Sequence, residues 1–217
     1  MLNFKLTPAT KQILLLCVGM YTLQQINPQI TDWLSLYHYK NINFYPFQFA
    51  TSIFLHSNFS HLFSNMLPIV FFVPYLDELL GDKKVWILFL FTGIGASLLF
   101  SVCYHFDLLN IVSYNSYELS KEEIWDDINH SPSKMLGASG AVFGILMAMA
   151  IYFPKKQIQL FFIPFKIPIN IIVLLYLVYE FNAGVQRVQG DNIAHFAHFG
   201  GALFALSIIQ FWRKYSV

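Results

Sequence analysis

Ser139 stands in the run Leu136-Gly137-Ala138-Ser139-Gly140-Ala141-Val142-Phe143-Gly144, among small residues at the head of a long uncharged apolar stretch. His198 holds a comparable place in a second such stretch towards the end of the chain. A serine hydroxyl is a poor nucleophile until a base removes its proton, and a neutral imidazole of ordinary pKa (about 6.5) can do so at working pH. The chemistry this pair supports is nucleophilic acyl transfer. With two residues and no carboxylate to orient the ring, packing must orient it. Phe143, one helical turn beyond Ser139, is placed to stack on His198. The oxyanion of a tetrahedral intermediate needs hydrogen-bond donors. The amide of Ser139 at a helix N-terminus is one, and His61 and Asn65, four residues apart and so on one helix face, are two more. His56 lies about a turn and a half above His61, within reach of the loop over it.

The solvent in which this chemistry would run follows from composition. Of 217 residues 56% are hydrophobic and only 12% charged, with mean hydropathy +0.53. A soluble domain carries about a quarter charged residues, so this is an integral multi-pass membrane protein. A net charge of +1 excludes nucleic-acid binding through bulk basicity. Cys17 and Cys103 fall in separate apolar runs and read as packing residues.

Six apolar runs are expected to cross the bilayer as helices. The first covers about residues 11–30 and is the least apolar, with Gln24, Gln25 and Asn27. No small-residue cleavage site follows it, so it reads as a retained span and not a signal peptide. The second runs from about His56 to Leu80, the third from Val85 to Tyr104, the fourth from Met135 to Phe153, the fifth from about Ile167 to Ala183, and the sixth from about Ile193 to Trp212. Each is near the roughly 20 residues that a helix needs to span hydrocarbon. One membrane domain, residues 1–217, accounts for the chain. The aromatic loop 31–55 suits the headgroup level, and the acid-rich loop 105–134 reads as mobile and external. A cytoplasmic N-terminus puts nine Lys and Arg residues inside and four outside, which favours both termini in the cytoplasm.

On this topology His56, His61, Asn65, Ser139, His195 and His198 all enter from the external side. Ser139 lies about four residues into its span and His198 about five into its own, so both sit a few ångströms below the interface. Gly140, Gly144 and Ala148, and likewise Ala197, Gly201 and Ala205, recur every four residues. Such small stripes let two membrane helices approach until their backbones nearly touch, and packing alone would also explain them.

The segments His56-Ser-Asn-Phe-Ser-His61-Leu-Phe-Ser-Asn65, Gly137-Ala138-Ser139-Gly140 and Ala197-His198-Phe199-Gly200-Gly201-Ala202 resemble, in order, the three motifs of the rhomboid intramembrane serine proteases. The resemblance covers a core of about residues 47–212. It implies an all-α bundle of six transmembrane helices, Ser139 as nucleophile and His198 as general base. His61, Asn65 and the Ser139 amide would line the oxyanion hole, with His56, Gly137, Phe143 and Gly201 in support. His195 does not match the family's catalytic position and is expected to be structural. Many bacterial members carry Trp-Arg in the first loop where this chain has Phe47-Gln48. Asp77 stands where a glutamate is common, and Ala205 replaces a glycine.

The expected function is therefore an intramembrane serine endopeptidase that cleaves transmembrane protein substrates near the external face. It would need no cofactor, no metal and no nucleic acid, and a bacterial cytoplasmic membrane is the expected location. The fifth span and the loop from Asn182 to Asn192 are, from the resemblance, the expected lateral gate. A catalytically inactive rhomboid-like protein that binds transmembrane clients is the alternative; the intact residue set argues against it. A metal site of His56, His61, His195 and His198 lacks evident acidic partners, and a transporter lacks an internal repeat. Glu180, near the end of the fifth span, is expected to snorkel to the interface.

Overall fold

The computed structural model describes residues 6–115, 129–131, 133–159, 164–186 and 195–215. Helix α1 (Pro8–Ile26) opens on a proline, whose missing N–H is not needed in a first turn. Short α2 (Gln29–Leu34) and strand β1 (Leu36–Tyr37) lead to α3 (Gln48–Thr51) and a 3-10 turn, Ser52–Phe54. Helix α4 (Phe59–Leu80) is capped by the Asn58 side chain, which accepts the His61 N–H at 2.8 Å, and ends at Gly81 with φ +81°. Helix α5 (Asp82–Asn115) is the longest. Strand β2 (Lys134–Met135) pairs antiparallel with β1, Leu36 opposite Met135. Helix α6 (Ser139–Tyr152) follows, then the hairpin of β3 (Gln157–Gln159) and β4 (Lys166–Pro168), then α7 (Ile169–Gln186) and α8 (His195–Tyr215).

Among the described residues, three helical segments are long and apolar enough to cross a membrane: Phe59–Leu80, Asp82–Phe106 and Ile169–Gln186. Helix α6 is apolar but has only 14 residues. The bundle centres on α5, α6 and α8. Phe89, Ala141, Ile145, Met149 and Ile209 are buried between them, and α4 adds Ile69.

Two boundaries differ from the periodicity of the sequence. Helix α5 continues past His105 to Asn115, so the third apolar run is longer as a helix than as a hydrophobic segment. The acidic residues 118–127 lie outside the described residues. Helix α6 begins at Ser139 and not at Met135, because Met135 is tied into the β ladder and Gly137 takes φ +129°. A residue at that φ cannot continue a right-handed helix.

The aromatic loop is built around Gln48, which is fully buried. Its Oε1 accepts the N–H groups of Tyr45 (3.2 Å) and Tyr37 (3.4 Å), and its Nε2 donates to the carbonyls of Asn43 (2.8 Å) and Trp33 (3.1 Å). One amide side chain thus satisfies four backbone groups and anchors the loop. Lys134 pairs with Asp32 across the loop. Burial alone would lower Lys134, but Asp32 and Tyr37 outweigh it and hold the ammonium above its ordinary range. Burial, with His105 and Lys40 beside it, pushes His38 down to about 4, so its ring packs neutral against Tyr104 and His105.

Candidate active site

Ser139 is the first residue of α6. The first amides of a helix have no partner within it and carry partial positive charge, so the Ser139 N–H is a donor that the helix itself leaves unused. Fourteen residues give α6 a length of about 21 Å, short of the roughly 30 Å hydrocarbon core. The serine end is therefore recessed if the other end reaches the surface. The non-helical residues that lead into it are tolerated at depth because protein covers them: Ala138 is fully buried and the Gly137 N–H donates to Ser52 O at 2.9 Å.

Glycines set how closely α8 approaches. A Cβ on Gly201 would sit 1.9 Å from the carbonyl oxygen of Gly140, so the two backbones touch there. A Cβ on Gly140 would meet Ala96 of α5 at 2.3 Å, and one on Gly144 would meet Thr92 Oγ1 at 2.3 Å. The small stripe of α6 is thus divided between two neighbours. Gly140 lies against both α8 and α5, whereas Gly144 serves α5, whose part a pattern of single spans did not reveal. This contact holds His198, three residues before Gly201, beside the first turn of α6. The imidazole of His198 stacks on Phe143, centroids 4.5 Å apart and planes 9° apart. Phe143 and Ser139 are four apart and share a face.

His61 comes from the first turn of α4. Its ring fills the space a side chain on Gly137 would need: a Cβ there would lie 2.6 Å from Cε1 and 2.8 Å from Nε2. Glycine at 137 is required twice, for its φ and for this ring. The Ser57 N–H points at His61 Nδ1 (3.4 Å), and Ser57 Oγ is 3.0 Å from the same atom. A backbone N–H can only donate, so Nδ1 is the acceptor and the neutral ring carries its proton on Nε2, the nitrogen turned to Gly137. Asn65, 5% exposed, donates one amide proton to His61 O at 3.0 Å and keeps a second. His56 is 1% exposed; its backbone N–H and C=O are both held by the Gln24 side chain of α1 (3.0 and 3.2 Å). Its ring stands edge-on to His61, centroids 5.2 Å apart.

Glu180 is where sequence reasoning failed. It does not reach for the interface: it is 2% exposed, and its Oε2 lies 2.6 Å from His195 Nδ1 and 2.9 Å from His198 Nδ1. The pairing of His195 is an aligned hydrogen bond, whereas His198 Nδ1 is within ion-pair range but off the hydrogen-bond line. The three side chains offer ligand atoms within 4.8 Å of one another. The expectation that these histidines lack an acidic partner is thereby corrected. The signal was available, since a glutamate deep in an apolar helix costs several kcal/mol unless something bonds it.

A family model of the rhomboid domain matches residues 43–214. The chain belongs to the rhomboid family. Three curated relatives bear that family's name. The chain is 26% identical over 215 residues to Rhomboid-like protein 11, chloroplastic, of Arabidopsis thaliana, covering 94% of this chain and 65% of that one. It is 28% identical over 165 residues to Rhomboid protease AarA of Providencia stuartii, covering 74% and 54%. It is 31% identical over 155 residues to Rhomboid protein 1, mitochondrial, of Saccharomyces cerevisiae (strain ATCC 204508 / S288c), covering 71% and 38%. This rhomboid chain therefore spans under two thirds of the length of each. The rhomboid-domain match supports an integral membrane protein, whereas two of those names are organellar, so kinship does not support the bacterial cytoplasmic membrane expected above.

Proposed function

We propose that this rhomboid is an intramembrane serine endopeptidase. The observation that carries the reading is the stacking of His198 on Phe143, one helical turn along α6 from Ser139, the first residue of that helix. Ser139 Oγ attacks the scissile carbonyl of a transmembrane protein substrate, and its proton passes to His198 Nε2. The oxyanion that forms accepts from the Ser139 N–H, from His61 Nε2–H and from the spare amide proton of Asn65. His198 then gives its proton to the leaving amine, and water hydrolyses the acyl-enzyme by the same route reversed. The relative named a protease, that of Providencia stuartii, supports the same activity.

In this reading α1, α4, α5, α6, α7 and α8 are six spans of a single membrane domain, with both termini cytoplasmic and the site near the external face. Substrate enters beside α7; residues 187–192 of the expected gate lie outside the described residues.

The test is cleavage of a generic single-span substrate in proteoliposomes by the wild type and by Ser139→Ala. The variant is expected to lose about four orders of magnitude or more in kcat. Cleavage that survives in Ser139→Ala would sink the serine mechanism. Binding of the span by a wild type that does not cut it would favour the client-binding alternative.

A further inference from the structure

A base on its own helix needs something to choose which ring nitrogen holds the proton. Stacking on Phe143 fixes the plane of His198 but not its tautomer, because the two faces and both nitrogens are equivalent to an aromatic neighbour. Nδ1 of His198 instead faces a carboxylate oxygen at 2.9 Å. An ionised carboxylate only accepts, so the neutral ring places its proton on Nδ1 and leaves the lone pair on Nε2.

The Glu180 carboxylate reaches this position from a different helix. α7 is peripheral, yet Glu180 is 2% exposed between α7 and α8. His195 and His198, three apart, present both Nδ1 atoms to the one Oε2. The aligned bond from His195 holds the carboxylate in place, so His195 acts as an anchor for the acid. A small rotation of the His198 ring would bring its N–H onto the same oxygen.

The trio also has the composition of a metal site. Its spacing argues against that use: tetrahedral ligands at about 2.0–2.1 Å from zinc stand roughly 3.3 Å apart, whereas these donor atoms are 2.6 and 2.9 Å from the oxygen. Those are hydrogen-bond distances.

We propose that Glu180 is the positioning residue for His198, turning the Ser139–His198 pair into a Ser-His-Glu relay assembled from α6, α8 and α7. The proposal rests on the serine-protease reading above. In the step, Ser139 Oγ–C bond formation sends the hydroxyl proton to His198 Nε2; the imidazolium so formed carries protons on both nitrogens and is stabilised by Glu180, which stays ionised. Proton return to the leaving amine restores the starting charges.

The experiment compares the full chain as wild type, Glu180→Gln, Glu180→Asp and Ser139→Ala in proteoliposomes with the single-span substrate, and records ¹⁵N spectra of histidine-labelled protein without substrate. Glutamine keeps the shape but carries no charge to stabilise the imidazolium, and where it turns its N–H₂ to Nδ1 it favours the wrong tautomer. Glu180→Gln is expected to lower kcat by about 10²–10⁴-fold with KM within a few-fold, and Glu180→Asp to recover at least part of it. The His198 signal, assigned by its loss in His198→Gln, should show a protonated Nδ1 and bare Nε2 in the wild type and a changed pattern in Glu180→Gln. An unchanged kcat in Glu180→Gln, or a wild-type His198 protonated on Nε2, overturns the proposal while Ser139→Ala inactivity keeps the serine reading. Chelator-sensitive cleavage restored by zinc overturns it in favour of a metal trio. If Ser139→Ala still cuts, the serine reading fails and the relay with it. If Glu180→Gln does not fold, the wild-type spectrum and Glu180→Asp decide.

Discussion

Helices α6 and α7 touch through Phe143 and Tyr176, rings 4.8 Å apart, but meet the rest of the molecule in opposite ways. Eight of the 14 residues of α6 are buried, and its contacts with α5 and α8 run through glycine backbone. Of the 18 residues of α7 only Ile169, Val173, Glu180 and Gly184 are buried, while Leu174 and Leu175 are more than 60% exposed. The helix bearing Ser139 is clamped by backbone contact, and the helix bearing Glu180 is held at a few side chains. Close-packed backbone cannot yield without moving a whole helix, whereas side chains can re-rotate. The candidate site is thus built on one rigid wall and one that can shift, an arrangement that suits the proposed reaction, in which the serine must stay fixed and a substrate must enter.

Three substitutions can break or sharpen that contrast. The largest effect is expected for Gly201→Val, whose Cβ would lie 1.9 Å from Gly140 O. No rotamer relieves a clash with a carbonyl, so α8 must leave α6, at a cost at or beyond the upper end of overpacking, about 3 kcal/mol. Loss of cleavage with a large fall in the detergent unfolding midpoint is the expected result; a variant as stable and active as wild type would show that the backbone contact does not matter.

Gly184→Ala asks the same question of α7. Its Cβ would meet Phe196 Cζ at 3.2 Å and His195 Cβ at 3.3 Å, both in side chains. The gain in helix propensity, up to about 1 kcal/mol, is set against a few tenths of an ångström of adjustment. Stability is expected to move by no more than about 1 kcal/mol, measured by the same unfolding assay; a collapse like that of Gly201→Val would erase the contrast between the helices. The smallest effect is expected for Leu175→Ala, 63% exposed. A change beyond about 0.5 kcal/mol there would mean that the outer face of α7 has a partner.

Part of the candidate site was legible in the residues: Ser139 opens a helix, and Phe143 stacks on His198, as their spacing led one to expect. Less was legible where partners come from distant segments. Gln48 stood out only as a departure from the Trp-Arg pair of the resemblance, yet its amide holds four backbone groups of the loop, because an amide both donates and accepts. Gln24 looked like a blemish in the first span; folded, it holds the backbone of His56. The start of α6 was read four residues early, since hydropathy registers what is apolar and not where φ turns positive at Gly137.

By itself, then, the sequence determined the solvent, the helical elements and the polar residues that chemistry could use, because composition and periodicity are local properties. Only the tertiary structure decided that the Gly140 carbonyl meets Gly201, that the His61 ring lies over Gly137, and that Glu180 turns inward to two histidines instead of outward to water. A buried carboxylate is stable only beside its donors, and those stand on another helix, 15 and 18 residues away in the chain.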